Sequence, residues 1–91
     1  PAFTLSNVTT RIDTTRGAPV FVIRGEIRAE HTTGPVPDLN VTFPDLGTGS
    51  RVVYAIPRGE MLKRGETIRF STRITAGAHV GSDPQVTLNG Q

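Results

Sequence analysis

The side chains of this chain that could do chemistry are few: Pro1, the histidines His31 and His79, several carboxylates and a set of arginines. An N-terminal proline can serve as a general base through its secondary amine when burial and nearby cations tune it. Such sites are built on β-α-β units, and no stretch here has the period of a helix that long, so Pro1 is read as simply where the chain starts. His31 and His79 could join Glu30, Asp38 or Asp83 around a metal, but their spacing matches no ligand motif. Both fall in expected loops and are expected to be exposed to solvent. With no cysteine there is no disulfide, no thiolate metal site and no Cys nucleophile. No serine stands on a strand-turn-helix that could carry a triad. Asp13, Asp38, Asp45 and Asp83 sit at turns, where aspartate serves through side-chain to backbone hydrogen bonds. We therefore expect no catalytic residue, no cofactor and no metal.

The arginines carry more information. Arg24, Arg28, Arg69 and Arg73 share the outward parity of the two best-patterned strands. If those strands are neighbours, the four form a basic ridge. Glu26 and Glu30 interleave with them, so two readings stand: a ladder of cross-strand ion pairs, or a site for an acidic partner. A second candidate surface is the region of Val53, Tyr54 and Ala55, where an edge strand could add to a partner's sheet. Asn7-Val8-Thr9 and Asn40-Val41-Thr42 match the glycosylation acceptor pattern, which has meaning only in a secreted eukaryotic protein.

The elements that must position these residues follow a period of two. Phe21, Ile23 and Ile27 alternate with Arg24, Glu26, Arg28 and Glu30, with Gly25 and Ala29 on the apolar parity. That is a half-buried strand from about Val20 to Glu30, whose apolar side is expected at the middle of the core. Gly25 within it is expected to admit a close neighbour. Residues 3–12 change phase at Ser6-Asn7, which predicts a β-bulge or a bend. Leu39, Val41 and Phe43 mark a third strand, Arg51 to Ile56 a fourth, Ile68 to Ile74 a fifth, and Val86 with Leu88 a short sixth. In the fourth, Val52, Tyr54 and Ile56 share one face while Val53 and Ala55 share the other. Pro35 and Pro37 are expected to exclude ladder hydrogen bonds around Val36. Residues 44–49 read as a hairpin loop, 57–66 as a connection and 76–84 as a loose loop. Six strands with frequent turn signals predict an all-β, immunoglobulin-like antiparallel sandwich of six to seven strands without a substantial helix.

Ninety-one residues with 35% hydrophobic side chains make one domain, residues 1–91, with a thin core and no room for a deep ligand cavity. Nine of the ten basic residues are arginine, yet the net charge is only +2, and the five aromatics are scattered. A nucleic-acid surface needs a concentrated basic patch with aromatic platforms, so nucleic acid is not an expected partner. No segment approaches the roughly 20 apolar residues of a membrane span.

The order of signals over about residues 20–88 resembles a known family. Val-Ile-Arg-Gly-Glu-Ile at 22–27 precedes Pro-Val-Pro-Asp-Leu at 35–39 and an Asp-x-Gly turn at Asp45 and Gly47. Leu-Lys-Arg-Gly-Glu at 62–66 and Ile-Arg-Phe at 68–70 then follow. This is similar to the small immunoglobulin-like C-terminal domain, of unknown function, of bacterial single-span membrane proteins that begin with a zinc ribbon. The resemblance implies a non-catalytic periplasmic interaction or spacer domain, tethered to the inner membrane through a segment outside this chain. Its partners would be proteins of the cell envelope, with self-association through an edge strand as one form. An adhesin-type or carbohydrate-binding sandwich is the alternative.

Overall fold

The computed structural model describes residues 1–44 and 48–91, and at 48–50 the backbone alone. The described chain is all-β and antiparallel. Its strands are β1 (Phe3–Asp13), β2 (Val20–Ala29), β3 (Gly34–Pro35), β4 (Leu39–Phe43), β5 (Thr48–Val53), β6 (Met61–Leu62), β7 (Thr67–Thr75) and β8 (Gln85–Leu88). One sheet has the order β1-β2-β7, a second β5-β4-β8, and β3 pairs with β6 in a small third. The first two sheets face one another across a single core. That is the sandwich expected from the alternation.

Packing follows parity. Phe21, Ile23, Ile27 and Ala29 of β2 are buried, as are Leu39, Val41 and Phe43 of β4 and Phe70 and Ile74 of β7. Ile23, Ile27, Leu39 and Val41 have no exposed surface at all, so they are the middle of the core. The central strand of each sheet supplies them, because only a strand paired on both sides is shielded on both edges. Gly25 lies opposite Phe70 in the β2–β7 ladder. A Cβ at Gly25 would stand 2.9 Å from the Phe70 ring and 3.4 Å from the carbonyl oxygen of Ser6. The glycine is the close-approach point anticipated from its place in mid-strand, and the neighbour is an aromatic ring laid across it.

The phase change in β1 is a bulge. Its register against β2 shifts between Ser6 and Thr9, and Asn7 takes a φ of 53°. Asparagine tolerates that left-handed backbone better than a branched residue. Phe3 and Leu5 pair with Ala29 and Ile27 before the bulge, Thr10 and Ile12 with Ile23 and Phe21 after it. One inserted irregularity thus puts Phe3, Leu5, Thr10 and Ile12 on the same side of the sheet, although only the first half of the strand is packed into the core, Ile12 being 40% exposed.

Four expectations need correction. The prolines do not abolish pairing at 34–37: Pro35 joins the β3–β6 ladder, and Val36 between the prolines keeps its N–H and donates it to the Glu60 carbonyl at 3.1 Å. The connection 57–66 accordingly contains a short strand, so the described residues form eight strands, two of them only two residues long. The fourth strand runs from Thr48 to Val53 instead of 51–56; Tyr54, Ala55 and Ile56 lie beyond it. The centre of the expected hairpin loop at 44–49, with Asp45 and Gly47, falls outside the described residues. Finally, His79 is not solvent-exposed. It is half-buried, its ring stacked on Phe43 with centroids 4.0 Å apart, and its Nδ1 is buried without a partner. Alternation says nothing about a loop, so the sequence offered no signal that this one folds back on the core.

Candidate functional site

The strands of Arg24, Arg28, Arg69 and Arg73 are hydrogen-bonded neighbours, so all four arginines share the outer face of the β1-β2-β7 sheet. Arg24 is opposite Ser71, Glu26 opposite Arg69, and Arg28 opposite Thr67. On the other side of β2, Arg24 faces Thr9 and Val22 faces Arg11. The sheet adds Arg11 and Asp13 to the ridge. The sequence alone does not single out Arg11 and marks Asp13 only as a turn residue, because only the β1–β2 register places them there. Arg11, Arg24, Arg28, Arg69 and Arg73 stand against Asp13, Glu26 and Glu30 on this face, a surplus of two positive charges. That equals the +2 of the whole chain.

The expected ladder of cross-strand pairs does not form. Glu26 lies opposite Arg69 but accepts a hydrogen bond of 2.7 Å from Asn7 Nδ2 at the bulge. Glu30 takes Arg28 along its own strand, Nε to Oε1 3.2 Å, and also accepts the Thr4 hydroxyl. Arg73 reaches over β2 to Asp13, Nη2 to Oδ2 2.6 Å. Among the described residues Arg24 and Arg69 form no salt bridge. They flank a shallow depression of about 230 Å³ with Asn7 and Glu26. Behind it lie Gly25 and Phe70, whose side-chain parity is inward, so the outer surface there is bare backbone.

The ion pair of Arg73 explains a side chain that parity alone would leave wet. Val22 is on the outer face yet only 2% exposed. In register it lies between Arg11 and Arg73, long side chains of the kind whose aliphatic stems shield an apolar neighbour. Asp13 anchors this cover. The hydroxyl and backbone N–H of Thr15, at 2.6 and 2.9 Å, bind Asp13 Oδ1, and Arg73 binds the other oxygen. Thr15 first, and Arg73 after it, hold the Asp13 carboxyl far below the usual carboxylate range. A carboxyl depressed in the folded state stabilises the fold at pH above its unfolded value, near 4, and that stabilisation is lost as pH falls through the folded value. Thermal unfolding followed from pH 7 downward is therefore expected to show wild-type protein losing stability below about pH 5. Asp13→Asn is expected to be less stable at neutral pH and to lose less on acidification. Parallel curves for the two proteins would refute the role given to Asp13.

The second candidate surface is smaller than expected. Val53 is half-buried and packed against the core, paired with Leu39. Tyr54 is 50% exposed, and the guanidinium of Arg58 lies 4.3 Å from its ring centroid. Arg58 also binds Asp38 at 3.1 Å, so the Tyr54 side chain is part of a surface cluster pinned to the start of β4. Arg51, opposite Val41 on the inward parity of β5, stretches out of the sandwich to the Thr75 carbonyl at 3.0 Å. An inward charge on an edge strand discourages further pairing there.

Of the residues weighed for catalysis or metal binding, Pro1 and His31 are exposed. Among the described residues no three His, Cys, Asp or Glu side chains gather where they could hold a metal ion, and no helix is long and apolar enough to cross a membrane. Compared with models of known protein families, with curated proteins and with solved structures, the chain finds no match.

Proposed function

We propose that this chain is a non-catalytic interaction domain of a membrane-anchored bacterial envelope protein, displayed in the periplasm, and that its outer arginine face docks an acidic surface of a protein partner. The observation that carries this reading is the pair Arg24 and Arg69, which flank one depression and, like Arg11, have no carboxylate partner among the described residues, on a face where Arg28 and Arg73 have theirs. Guanidinium groups held on a rigid sheet are pre-organised for bidentate capture of carboxylates, and they gain most where solvent is excluded. Thr9 and Ser71, the register partners of Arg24, add hydroxyl donors beside it. The sheet orders β1-β2-β7 and β5-β4-β8 support the immunoglobulin-like form of the sandwich. A sugar-binding role has less support, since Tyr54 is an isolated ring already engaged by Arg58.

The test is site-specific photocrosslinking in cells producing the full-length protein. A photoreactive side chain at Ser71 is expected to give an adduct with an envelope protein, weakened by high salt. The same side chain at Val52, exposed on β5 of the opposite sheet, is expected to give none. Charge reversal of Arg24 and Arg69 to Glu should remove the adduct, and neutralisation of both to Gln, which puts no second carboxylate opposite Glu26, should weaken it without lowering the melting temperature, because neither arginine forms a salt bridge. An adduct that survives this reversal, or that forms equally at Val52, overturns the proposal.

A further inference from the structure

Each main sheet ends in two edge strands, and three of the four are defended. The β1 edge carries the bulge at Asn7, β5 the inward Arg51, and β7 exposed Arg69 and Arg73. These are the devices by which sheets avoid unwanted pairing. The β8 edge, Gln-Val-Thr-Leu, has neither a charge nor a bulge. Beside it, between β8 and β1, runs an open groove of about 350 Å³ lined chiefly by Phe3, Thr4, Leu5, Val86, Thr87 and Leu88. None of these side chains is charged.

The ladders show which backbone groups face the groove. Asn89 donates its N–H to the Asp38 carbonyl at 2.8 Å, which makes the pair one step beyond Leu39–Leu88 a hydrogen-bonded one. Bonded and non-bonded pairs alternate in an antiparallel ladder, so Val86 and Leu88 turn their N–H and C=O away from β4 and into the groove. On the other wall, Glu30 donates to the Ala2 carbonyl at 2.8 Å, and the same alternation turns Phe3 and Leu5 away from β2. The Phe3 N–H confirms this direction, since it donates to Gln91 Oε1 at 3.0 Å across the groove. The Leu88 carbonyl accepts the Gln91 N–H at 3.3 Å. Among the described residues the backbone groups of Val86 and Leu5 that face the groove have no such partner.

We propose that this groove is a strand-acceptor site, which binds an uncharged extended segment of a partner protein antiparallel to β8. Backbone bonds to Val86 supply register, and alternate apolar side chains of the guest cover Leu5 and Val86, both half-buried at present. The inward side chains of the guest must be uncharged, because no charged side chain lines the groove. The described strands of this chain are each tied into a ladder, and two β8 edges pairing with each other would share only four residues and leave the groove unfilled, so we assign the guest to another protein. This site is separate from the arginine face, so the two proposals stand or fall independently.

The experiment is titration of the isotope-labelled 91-residue chain with the capped heptapeptide Ser-Val-Thr-Val-Thr-Val-Ser, read by amide NMR. Shifts are expected at Leu5, Val86 and Leu88, with exchange of the Val86 amide hydrogen slowed. N-methylation of the central valine removes one backbone donor without touching the protein, and is expected to weaken binding about tenfold. Val86→Lys should abolish it. No perturbation at about 1 mM peptide, shifts centred on the arginine face, or equal binding of the methylated peptide would each overturn the site. The same Val86 changes arising from self-association without peptide would overturn the assignment of the guest to another protein.

Discussion

Truncation of Phe43 to alanine is expected to lower the unfolding free energy by about 3–5 kcal/mol. The ring is 1% exposed and fills the end of the core where β4 meets β2, with its centroid 5.7 Å from that of Phe21 and 4.0 Å from that of His79. Both neighbours would face the void, and neither can collapse into it freely. Phe21 is held in the β2 ladder between Ile12 and Ile74, and His79 by backbone bonds to Ala76 and Ser82. The loss is large for this chain, because 91 residues sustain a total stability of only about 5–14 kcal/mol. Urea denaturation of the two proteins measures it directly. A loss below about 1.5 kcal/mol would mean that the loop at 76–84 repacks over the site, and that the stacked histidine is not part of the core.

Adding one methyl group at Gly25 should cost about 1–3 kcal/mol, through overpacking and not through backbone strain. The new Cβ would lie 2.9 Å from two carbons of the Phe70 ring, which is 6% exposed and cannot simply swing away into solvent. The remedy identifies the cause. In a Phe70→Leu background the ring is gone, and Gly25→Ala is expected to become nearly neutral. The two substitutions should therefore be non-additive by about 0.5–3 kcal/mol in a double-mutant cycle. Additive losses would show that Gly25 is required for some other reason, such as its contact with the Ser6 carbonyl.

Much of this architecture is legible in the residues themselves. Parity alone places Phe21, Ile23, Ile27, Phe70 and Ile74 inside, because a strand offers only two faces and a one-residue slip would turn all of them to water. The bulge at Asn7 is readable for the same reason: the apolar parity of β1 changes there, and the backbone must absorb an extra residue. The two-residue strands β3 and β6 were not readable. Two residues are too few for any period, and a proline in one of the strands argues against a ladder there.

The arginine ridge marks the boundary between the two kinds of information. Local alternation in the sequence determined that Arg24, Arg28, Arg69 and Arg73 point outward, since that follows from the pleat of each strand alone. Only the tertiary structure decided which of them are paired. Asp13 comes from a strand not adjacent to that of Arg73, and Asn7 claims Glu26 through a bulge that brings its amide to the face. Ion pairing falls off within a few ångströms, so it depends on inter-strand register and rotamer, neither of which a linear pattern encodes. The same holds for the groove beside β8. Its residues are ordinary strand residues in the sequence, and they become a candidate site only because two sheet edges from opposite ends of the chain come to lie side by side.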